Sequence, residues 1–185
     1  AKSDPSRDTP NLQFHIQPIS TDKLGGANLH DFHAFTPTVA NIRPTSRGEI
    51  SISSSDTKVN PKIKMNYLST DEDRKVAADG IKLIRKIVME TNEFKKFEPE
   101  EFRPGSHLND KEEIVKACSH YAQTIFHPVG TCKMGNDESA VVSDKLKVHG
   151  INKLRVIDAS IMPNITSGNT NCLLYTSDAA DEAKW

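Results

Sequence analysis

The sequence predicts an α+β fold, because strand patterns occupy its first third and two capped amphipathic helices follow. Leu12 to Ile16 alternates apolar and polar side chains with a period of two, which is typical of a half-buried strand. Phe32 to Ile42 and Glu49 to Ser53 are two further extended stretches. Pro44 and Gly48 punctuate the residues between them, so the pattern predicts that these two strands form a hairpin.

Two segments carry the start signals and the spacing of amphipathic helices. Thr70, followed three residues later by Asp73, resembles a capping box and predicts a helix of about twenty residues. Its apolar side is expected to comprise Val76, Ala77, Gly80, Ile81, Leu83, Ile84, Ile87 and Val88. Asp110 predicts the cap of a second helix, with Glu112 and Glu113 in its first turn. The inner face of this helix is expected to hold Ile114, Val115, Ala117, Cys118, Tyr121 and Ala122.

The remaining organisation is simpler. Val141 to Val148 and Leu154 to Ile157 are short strand-like runs separated by a turn at His149 to Asn152. Residues 1–10 are polar and contain two prolines, which predicts a frayed connection. A chain of 185 residues is expected to form one compact body around a single core.

Composition narrows the classes of function. The net charge of −1 comes from 24 basic and 25 acidic residues, which argues against nucleic acid as a partner. No apolar run approaches the roughly 18 residues that span a bilayer, and the first residues lack an initiator Met and a signal-peptide core. The three cysteines are expected to be free thiols in a reducing compartment. These features favour a cytoplasmic part of a longer protein, with peripheral membrane association of the intact protein as an alternative.

One motif surrounds a histidine with residues that bend the chain. His127 begins the sequence His-Pro-Val-Gly-Thr-Cys-Lys-Met-Gly. Pro128 has no N–H and a fixed φ, so the backbone must leave regular structure beside the imidazole. Gly130 and Gly135 would permit close approach of the backbone to a ligand. Neutral imidazole accepts a proton near physiological pH, so His127 is a candidate base; a structural histidine at a helix exit is the alternative.

A second motif follows the last strand-like run. Asp158 and Ala159 come directly after Leu154 to Ile157, and the carboxyl end of a strand is a common docking place for cofactors. The next turn reads Gly-Asn-Thr-Asn and ends at Asn171.

Together the two motifs resemble the glucose-methanol-choline (GMC) family of flavoprotein oxidoreductases, in the branch of choline dehydrogenase-like and FAD-dependent alcohol dehydrogenases. The resemblance implies a truncated fragment, in which residues 11–171 form the carboxyl-terminal domain. This domain would contain an antiparallel substrate-domain sheet backed by helices and the terminal strand of the FAD-binding α/β domain. No Gly-x-Gly-x-x-Gly turn is present, so the amino-terminal FAD-binding part is expected to be a missing partner.

The resemblance also implies roles for four residues. His127 occupies the position of the catalytic base. Asn171 matches the second catalytic position and would hydrogen-bond the substrate oxygen, since a carboxamide cannot act as a base. The Asp158–Ala159 step would contact FAD through backbone N–H groups, and Asn171 would lie at the flavin as well. The implied substrate is a small alcohol, choline or another primary alcohol, and the implied electron acceptor is quinone-like or oxygen.

Residues 172–185 resemble the translated read-through of a sequencing-library adaptor and are expected to be a non-native tail. In the family a helix begins here, and the tail is expected to remove it.

Two alternatives remain. Cys118 and His120, with His127 and Cys132, could in principle bind zinc, but their spacing matches no common zinc knuckle, so no metal is expected. The isolated chain could also be a non-catalytic folded or protein-binding module.

Overall fold

The computed structural model describes residues 1–22 and 28–175. The chain divides into two compact units, rather than the single body that its length suggests. Unit 1 comprises Ala1–Thr45 and Thr70–Gln123, and unit 2 comprises Ser46–Ser69 and Thr124–Trp185. The prediction of one body was wrong because the chain leaves unit 1 after Thr45 and returns to it at Thr70. Within the described residues, no helix is long and apolar enough to cross a membrane.

Unit 1 contains the predicted first strand and part of the second. Strand β1 (Leu12–Gln17) pairs antiparallel with β2 (Thr36–Asn41), with Leu12 opposite Asn41. The second strand begins at Thr36, four residues later than the sequence pattern suggested. Residues 1–10 differ from a frayed connection, because the Ala1 ammonium donates to the Leu12 carbonyl over 2.8 Å.

The helices of unit 1 begin where the capping signals predicted. Helix α1 spans Asp71–Glu90, and its N-cap Thr70 accepts a hydrogen bond from the Asp73 N–H. A short helix α2 (Asn92–Lys95) follows directly. Helix α3 spans Lys111–Tyr121, and its N-cap Asp110 accepts hydrogen bonds from the first turn. Both N-cap predictions are confirmed, because each depends on a local hydrogen bond that the sequence already contains.

The core of unit 1 lies between the sheet and the two long helices. Its buried apolar side chains are Leu12, Ile42, Val76, Ala78, Ile114 and Ala117. Gly80 lets α1 approach β2 closely, since a Cβ there would lie 3.0 Å from a methyl carbon of Val39. Tyr121, expected on the inner face of α3, is 50% exposed. The Arg103 guanidinium lies over its ring, 5.1 Å from the ring centroid, which gives this aromatic side chain a surface partner.

The predicted hairpin between the second and third strands does not form. The backbone N–H of Thr45 donates to the buried carboxylate of Asp73 over 2.9 Å, so the chain after β2 is held at the start of α1. Strand β3 (Glu49–Ser51) pairs instead with β4 (Lys62–Lys64), a strand that the sequence did not predict. The prediction was wrong because this hydrogen bond joins residues distant in sequence, which turn signals cannot reveal.

Most of unit 2 is irregular. Val142 bridges to Met134 and to Val148, and Lys147 bridges to Arg155, as isolated pairs. The strand expected over Leu154 to Ile157 is reduced to that single bridge, although the Leu154 carbonyl accepts from the Val148 N–H and the Val156 N–H donates to the Leu146 carbonyl. The α+β class with short antiparallel sheets is nevertheless confirmed, and the site residues of unit 2 lie outside its strands.

Candidate active site

The imidazole of His127 lies in unit 2 on an irregular segment with an unusual backbone. Phe126 has a φ of 60°, in the left-handed region, and its N–H donates to the Thr124 hydroxyl oxygen over 3.1 Å. Phe126 in the left-handed region and Pro128 two residues later end any regular helix or strand at this point. The bend that the sequence predicted at His127 is therefore confirmed, and the imidazole itself is half-buried.

One hydrogen bond fixes the imidazole. Its Nδ1 atom lies 2.7 Å from the hydroxyl oxygen of Thr170, 43 residues along the chain. Thr170 is 4% exposed, so this contact is sheltered from water. The other ring nitrogen, Nε2, has no hydrogen-bond partner in the part of the chain that the structure describes. The ring is thus held on one side and available on the other.

The loop that follows His127 is tied to the turn after Asp158. The N–H of Cys132 donates to the Ser160 carbonyl over 3.0 Å, and the N–H of Met134 donates to the Ile161 carbonyl over 2.8 Å. Two backbone hydrogen bonds therefore bring the first sequence motif beside the second. No side chain takes part in these two hydrogen bonds, so they depend only on the path of the backbone.

Asp158 is the N-cap of a short 3₁₀ helix, Ala159–Ile161. Its carboxylate accepts the Ser160 N–H over 2.8 Å, which leaves the side chain exposed and committed to its own turn. The N–H of Ala159 donates to no acceptor among the residues that the structure describes. This amide is the available donor of the Asp158–Ala159 step.

The two glycines of the first motif differ in their surroundings. Gly130 has a φ of 93°, and a Cβ there would lie 3.4 Å from the Met162 carbonyl oxygen. This position needs glycine for its conformation and leaves a narrow gap. A Cβ on Gly135 would lie 3.1 Å from a carboxylate oxygen of Asp137 in a tight turn. Gly130 fits the expected close approach, and Gly135 serves the local turn.

Asn171 lies next to Thr170, in a helical stretch over residues 170–175. The expectation that the adaptor-like tail removes this helix was wrong for these residues. The rest of the tail, residues 176–185, lies outside the described residues. The Asn171 side chain is exposed and has no hydrogen-bond partner among the described residues. Both predicted catalytic residues are thus linked to the same contact, because His127 makes it with Thr170 and Asn171 is the next residue after Thr170.

Sequence reasoning missed two residues near the site. Thr170 stood inside the second motif, but nothing in the sequence paired it with an imidazole. Asp137 organises the turn after Gly135: its carboxylate accepts from the Ser139 hydroxyl over 2.6 Å, from the Lys133 ammonium and from the Ser139 N–H. These contacts, the Ser139 hydroxyl first, lower the pKa of the Asp137 carboxyl to about 2. An Asp with Ser two residues later is a recognisable turn signal.

The possible zinc set is not assembled. Within the described residues, no three His, Cys, Asp or Glu side chains are grouped so that they could hold a metal ion. Cys118 and Cys132 are half-buried and Cys172 is exposed, and all three are thiols outside any disulfide. Burial raises the pKa of the Cys118 thiol, which makes it a poor thiolate ligand.

Comparison with known proteins places this arrangement in a family. The family model for a carboxyl-terminal domain, described as GMC oxidoreductase, matches residues 44–177. The chain belongs to the GMC oxidoreductase family. The match includes both motifs and all four predicted site residues, so the resemblance read from the sequence is confirmed.

Two GMC relatives of similar sequence are named as a choline dehydrogenase and an alcohol dehydrogenase. The chain is 41% identical over 177 residues to an oxygen-dependent choline dehydrogenase of Proteus mirabilis, covering 95% of this chain and 32% of that protein. It is also 41% identical over 182 residues to an alcohol dehydrogenase (acceptor) of Pseudomonas putida, covering 97% of this chain and 33% of that protein. The chain thus spans about a third of the length of these GMC relatives.

Solved structures agree with this assignment. Pyridoxine 4-oxidase from Mesorbium loti matches all of this chain and 36% of its own, with a TM-score of 0.83 and 26% identity. Aspergillus oryzae formate oxidase, studied for its FAD modification, matches 96% of this chain and 32% of its own, with a TM-score of 0.80 and 26% identity. The GMC relatives are therefore FAD flavoproteins, as the resemblance implied.

Proposed function

We propose that this GMC chain is the carboxyl-terminal part of an FAD-dependent oxidoreductase that acts on the CH–OH group of a small alcohol. Choline or another primary alcohol is the proposed substrate class, in keeping with the names of the two relatives that share 41% identity. The observation that carries the proposal is the hydrogen bond between His127 and Thr170, because it joins the two motifs and leaves Nε2 of the imidazole available.

The residues present fit a flavin cofactor by their donor chemistry. The free N–H of Ala159 can donate to a ribityl or phosphate oxygen, whereas the Asp158 carboxylate is already engaged by Ser160. Gly130 leaves a gap that any side chain would fill. Bound FAD would supply the acceptor for the hydride that leaves the alcohol carbon. The rest of its site is proposed to lie in the part of the relatives' length that this chain does not span.

The chemistry of the chain's own residues follows from the imidazole. His127 accepts the hydroxyl proton of the alcohol at Nε2, and the negative charge left on the oxygen then forms the C=O bond as the C–H electron pair leaves the carbon as hydride. Asn171 donates a hydrogen bond from its carboxamide to that oxygen and orients the substrate. With His127 as the only base of the pair, loss of its side chain leaves neither residue able to accept the proton. Electrons then pass to a quinone-like acceptor or to oxygen.

The test is replacement of His127 in the intact enzyme that carries this chain. His127→Ala should lower kcat by about 100-fold or more, the usual scale for loss of a general base. The matched control is His33→Ala, because His33 is exposed and has no hydrogen bond to any residue that the structure describes. Turnover by the His127 variant equal to that of the control would show that the base lies elsewhere.

A second candidate concerns the 185-residue chain by itself. Since it spans about a third of its relatives' length and contains no Gly-x-Gly-x-x-Gly turn, the isolated chain is proposed to be a folded module without activity. Addition of FAD to the purified chain, followed by gel filtration, distinguishes the two candidates. Flavin absorbance that travels with the protein would contradict the inactive module.

A further inference from the structure

We propose that Thr170 is a positioning residue that makes Nε2 of His127 the proton-accepting atom. The inference rests on the proposed function and adds to it a residue with no assigned role. The geometry points to Thr170 because its hydroxyl oxygen lies 2.7 Å from Nδ1, a short contact between two uncharged groups.

A neutral imidazole carries its single proton on one of two nitrogens, and the partner of one nitrogen decides the state of the other. If Nδ1–H donates to the Thr170 oxygen, the lone pair lies on Nε2, which can then accept a proton. If the hydroxyl donated to Nδ1, the proton would lie on Nε2, which could accept nothing. A base at Nε2 therefore requires Thr170 to act as the acceptor.

The protonated state leaves no choice of direction. After His127 has taken a proton from the alcohol oxygen, both ring nitrogens carry hydrogen and Nδ1–H must donate. A hydroxyl has two acceptor lone pairs, so Thr170 can receive this bond. The bond becomes stronger once the ring is charged, because charge-assisted hydrogen bonds are stronger than neutral ones. Thr170 thus stabilises the form of His127 that follows proton transfer.

Burial makes this role exclusive. Thr170 is 4% exposed, so water has little access to replace its hydroxyl. Within the described residues, Thr170 is the one hydrogen-bond partner of Nδ1, and Nε2 has none. The neighbouring Asn171 acts on the substrate oxygen in the proposed function, so one turn of chain would orient both the base and the substrate.

The direct test is the tautomer of His127 in the purified 185-residue chain. The chain is labelled with ¹⁵N-histidine, and long-range ¹⁵N–¹H correlation spectra are recorded over a series of pH values so that the neutral ring is identified. His127→Ala identifies the signals. The expected result is a protonated Nδ1 and an unprotonated Nε2. A protonated Nε2 in the wild-type chain overturns the inference, whatever the activity of any variant.

The kinetic test uses two variants of the intact enzyme. Thr170→Val keeps the shape and removes the hydroxyl, and it should lower kcat about 10-fold, the lower end for loss of a group that orients a functional histidine. Thr170→Ser keeps the acceptor oxygen and should recover most of the loss. KM should change little, since Thr170 acts on the base.

The pH profile separates positioning from a structural effect. Loss of the acceptor weakens the charged form of His127, so the acidic limb of kcat/KM should move to lower pH in Thr170→Val and return in Thr170→Ser. An unchanged limb and an unchanged tautomer in Thr170→Val would overturn the inference. Full activity of His127→Ala would instead overturn the proposed function, so the two failures are distinguishable.

Discussion

The two units of this GMC chain are stabilised in different ways. Among its described residues, unit 1 has a side-chain core of six buried apolar residues between one sheet and two helices. The described part of unit 2 has two buried apolar residues, Val142 and Ile161, and is held largely by backbone hydrogen bonds between loops. Unit 2 also contains every predicted site residue. The difference shows how a chain can combine a regular scaffold with irregular segments that carry the predicted site residues.

The largest effect on stability is expected from an ion pair in unit 1. The Arg85 guanidinium binds Glu101 with two hydrogen bonds of 2.8 and 2.9 Å and also donates to the Gly105 and Leu108 carbonyls. The Arg85 and Glu101 side chains are 17% and 11% exposed. Arg85→Met should lower the free energy of unfolding by about 3 kcal/mol, because it leaves a largely buried carboxylate without its cation. Urea titration followed by circular dichroism measures this change.

The control for that experiment lies on the same helix. Lys75 pairs with Asp79 over 2.7 Å, but its side chain is 47% exposed. Lys75→Met should change stability by less than about 1 kcal/mol, as is usual for surface ion pairs. We interpret the Arg85 contacts as holding the loop at residues 101–108 against α1. Equal losses of stability in Arg85→Met and Lys75→Met would contradict this interpretation.

A matched pair of valines compares the two units directly. Val76 in α1 is 1% exposed and Val142 in unit 2 is 0% exposed. Each Val→Ala change should destabilise by about 2 kcal/mol, from two lost methyl groups and the cavity that they leave. Hydrogen exchange with mass spectrometry should find faster exchange in α1 for Val76→Ala and at residues 133–148 for Val142→Ala.

Val59, which is 48% exposed, supplies the control for both valines. Val59→Ala should leave exchange nearly unchanged in both units, because little buried area is lost. Residues 133–148 could also be as protected in Val142→Ala as in Val59→Ala. This result would show that the loops of unit 2 depend on hydrogen bonds alone, in contrast to the side-chain core of unit 1.

The smallest effect is expected from the turn at Asp137. Because the Ser139 hydroxyl, the Lys133 ammonium and the Ser139 N–H lower the pKa of its carboxyl from 3.8 to about 2, the folded state favours the charged form. This contribution to stability is present above the unfolded pKa and is lost as the pH falls from about 4 to about 2. Asp137→Asn should therefore remove a small pH dependence of unfolding in that window.

The pKa of Asp137 can be measured from its carboxyl carbon by NMR. Ser139→Ala removes the first and largest cause, so the pKa of Asp137 should rise toward its ordinary value. An unchanged pKa in Ser139→Ala would assign the lowering to Lys133 and to the backbone N–H of residue 139 instead.

The sequence predicted those features of the fold that depend on neighbours in the chain. Thr70 and Asp110 cap helices through bonds spanning two or three residues, so both starts were visible in the sequence. The absence of pairing between β2 and β3 was not visible in the sequence. The hydrogen bond that holds Thr45 at Asp73, and so keeps β3 from folding back onto β2, joins residues 28 positions apart. Local signals report turns and caps, whereas pairing depends on the whole fold.

The candidate site divides in the same way. His127 and Asn171 were predicted from motifs, and their roles stay predictions. The contact between His127 and Thr170 spans 43 residues, and no spacing rule could have found it. The turn of Asp158 was predicted as a strand end, yet its carboxylate closes a 3₁₀ helix and leaves the Ala159 amide as the available donor.

The contact between Thr45 and Thr70, at the two ends of the segment Ser46–Ser69, has a consequence for protein engineering. The two hydroxyl oxygens lie 2.6 Å apart, both residues also bind Asp73, and the Ser69 N–H donates to the Ser46 hydroxyl oxygen, so the ends of the segment Ser46–Ser69 are held together. When the ends of a loop are already held together, lengthening the loop has a small entropic cost, about 0.6 kcal/mol for each doubling of its length. The exposed residues between β3 and β4 are therefore a suitable place to graft an epitope or a fluorescent reporter.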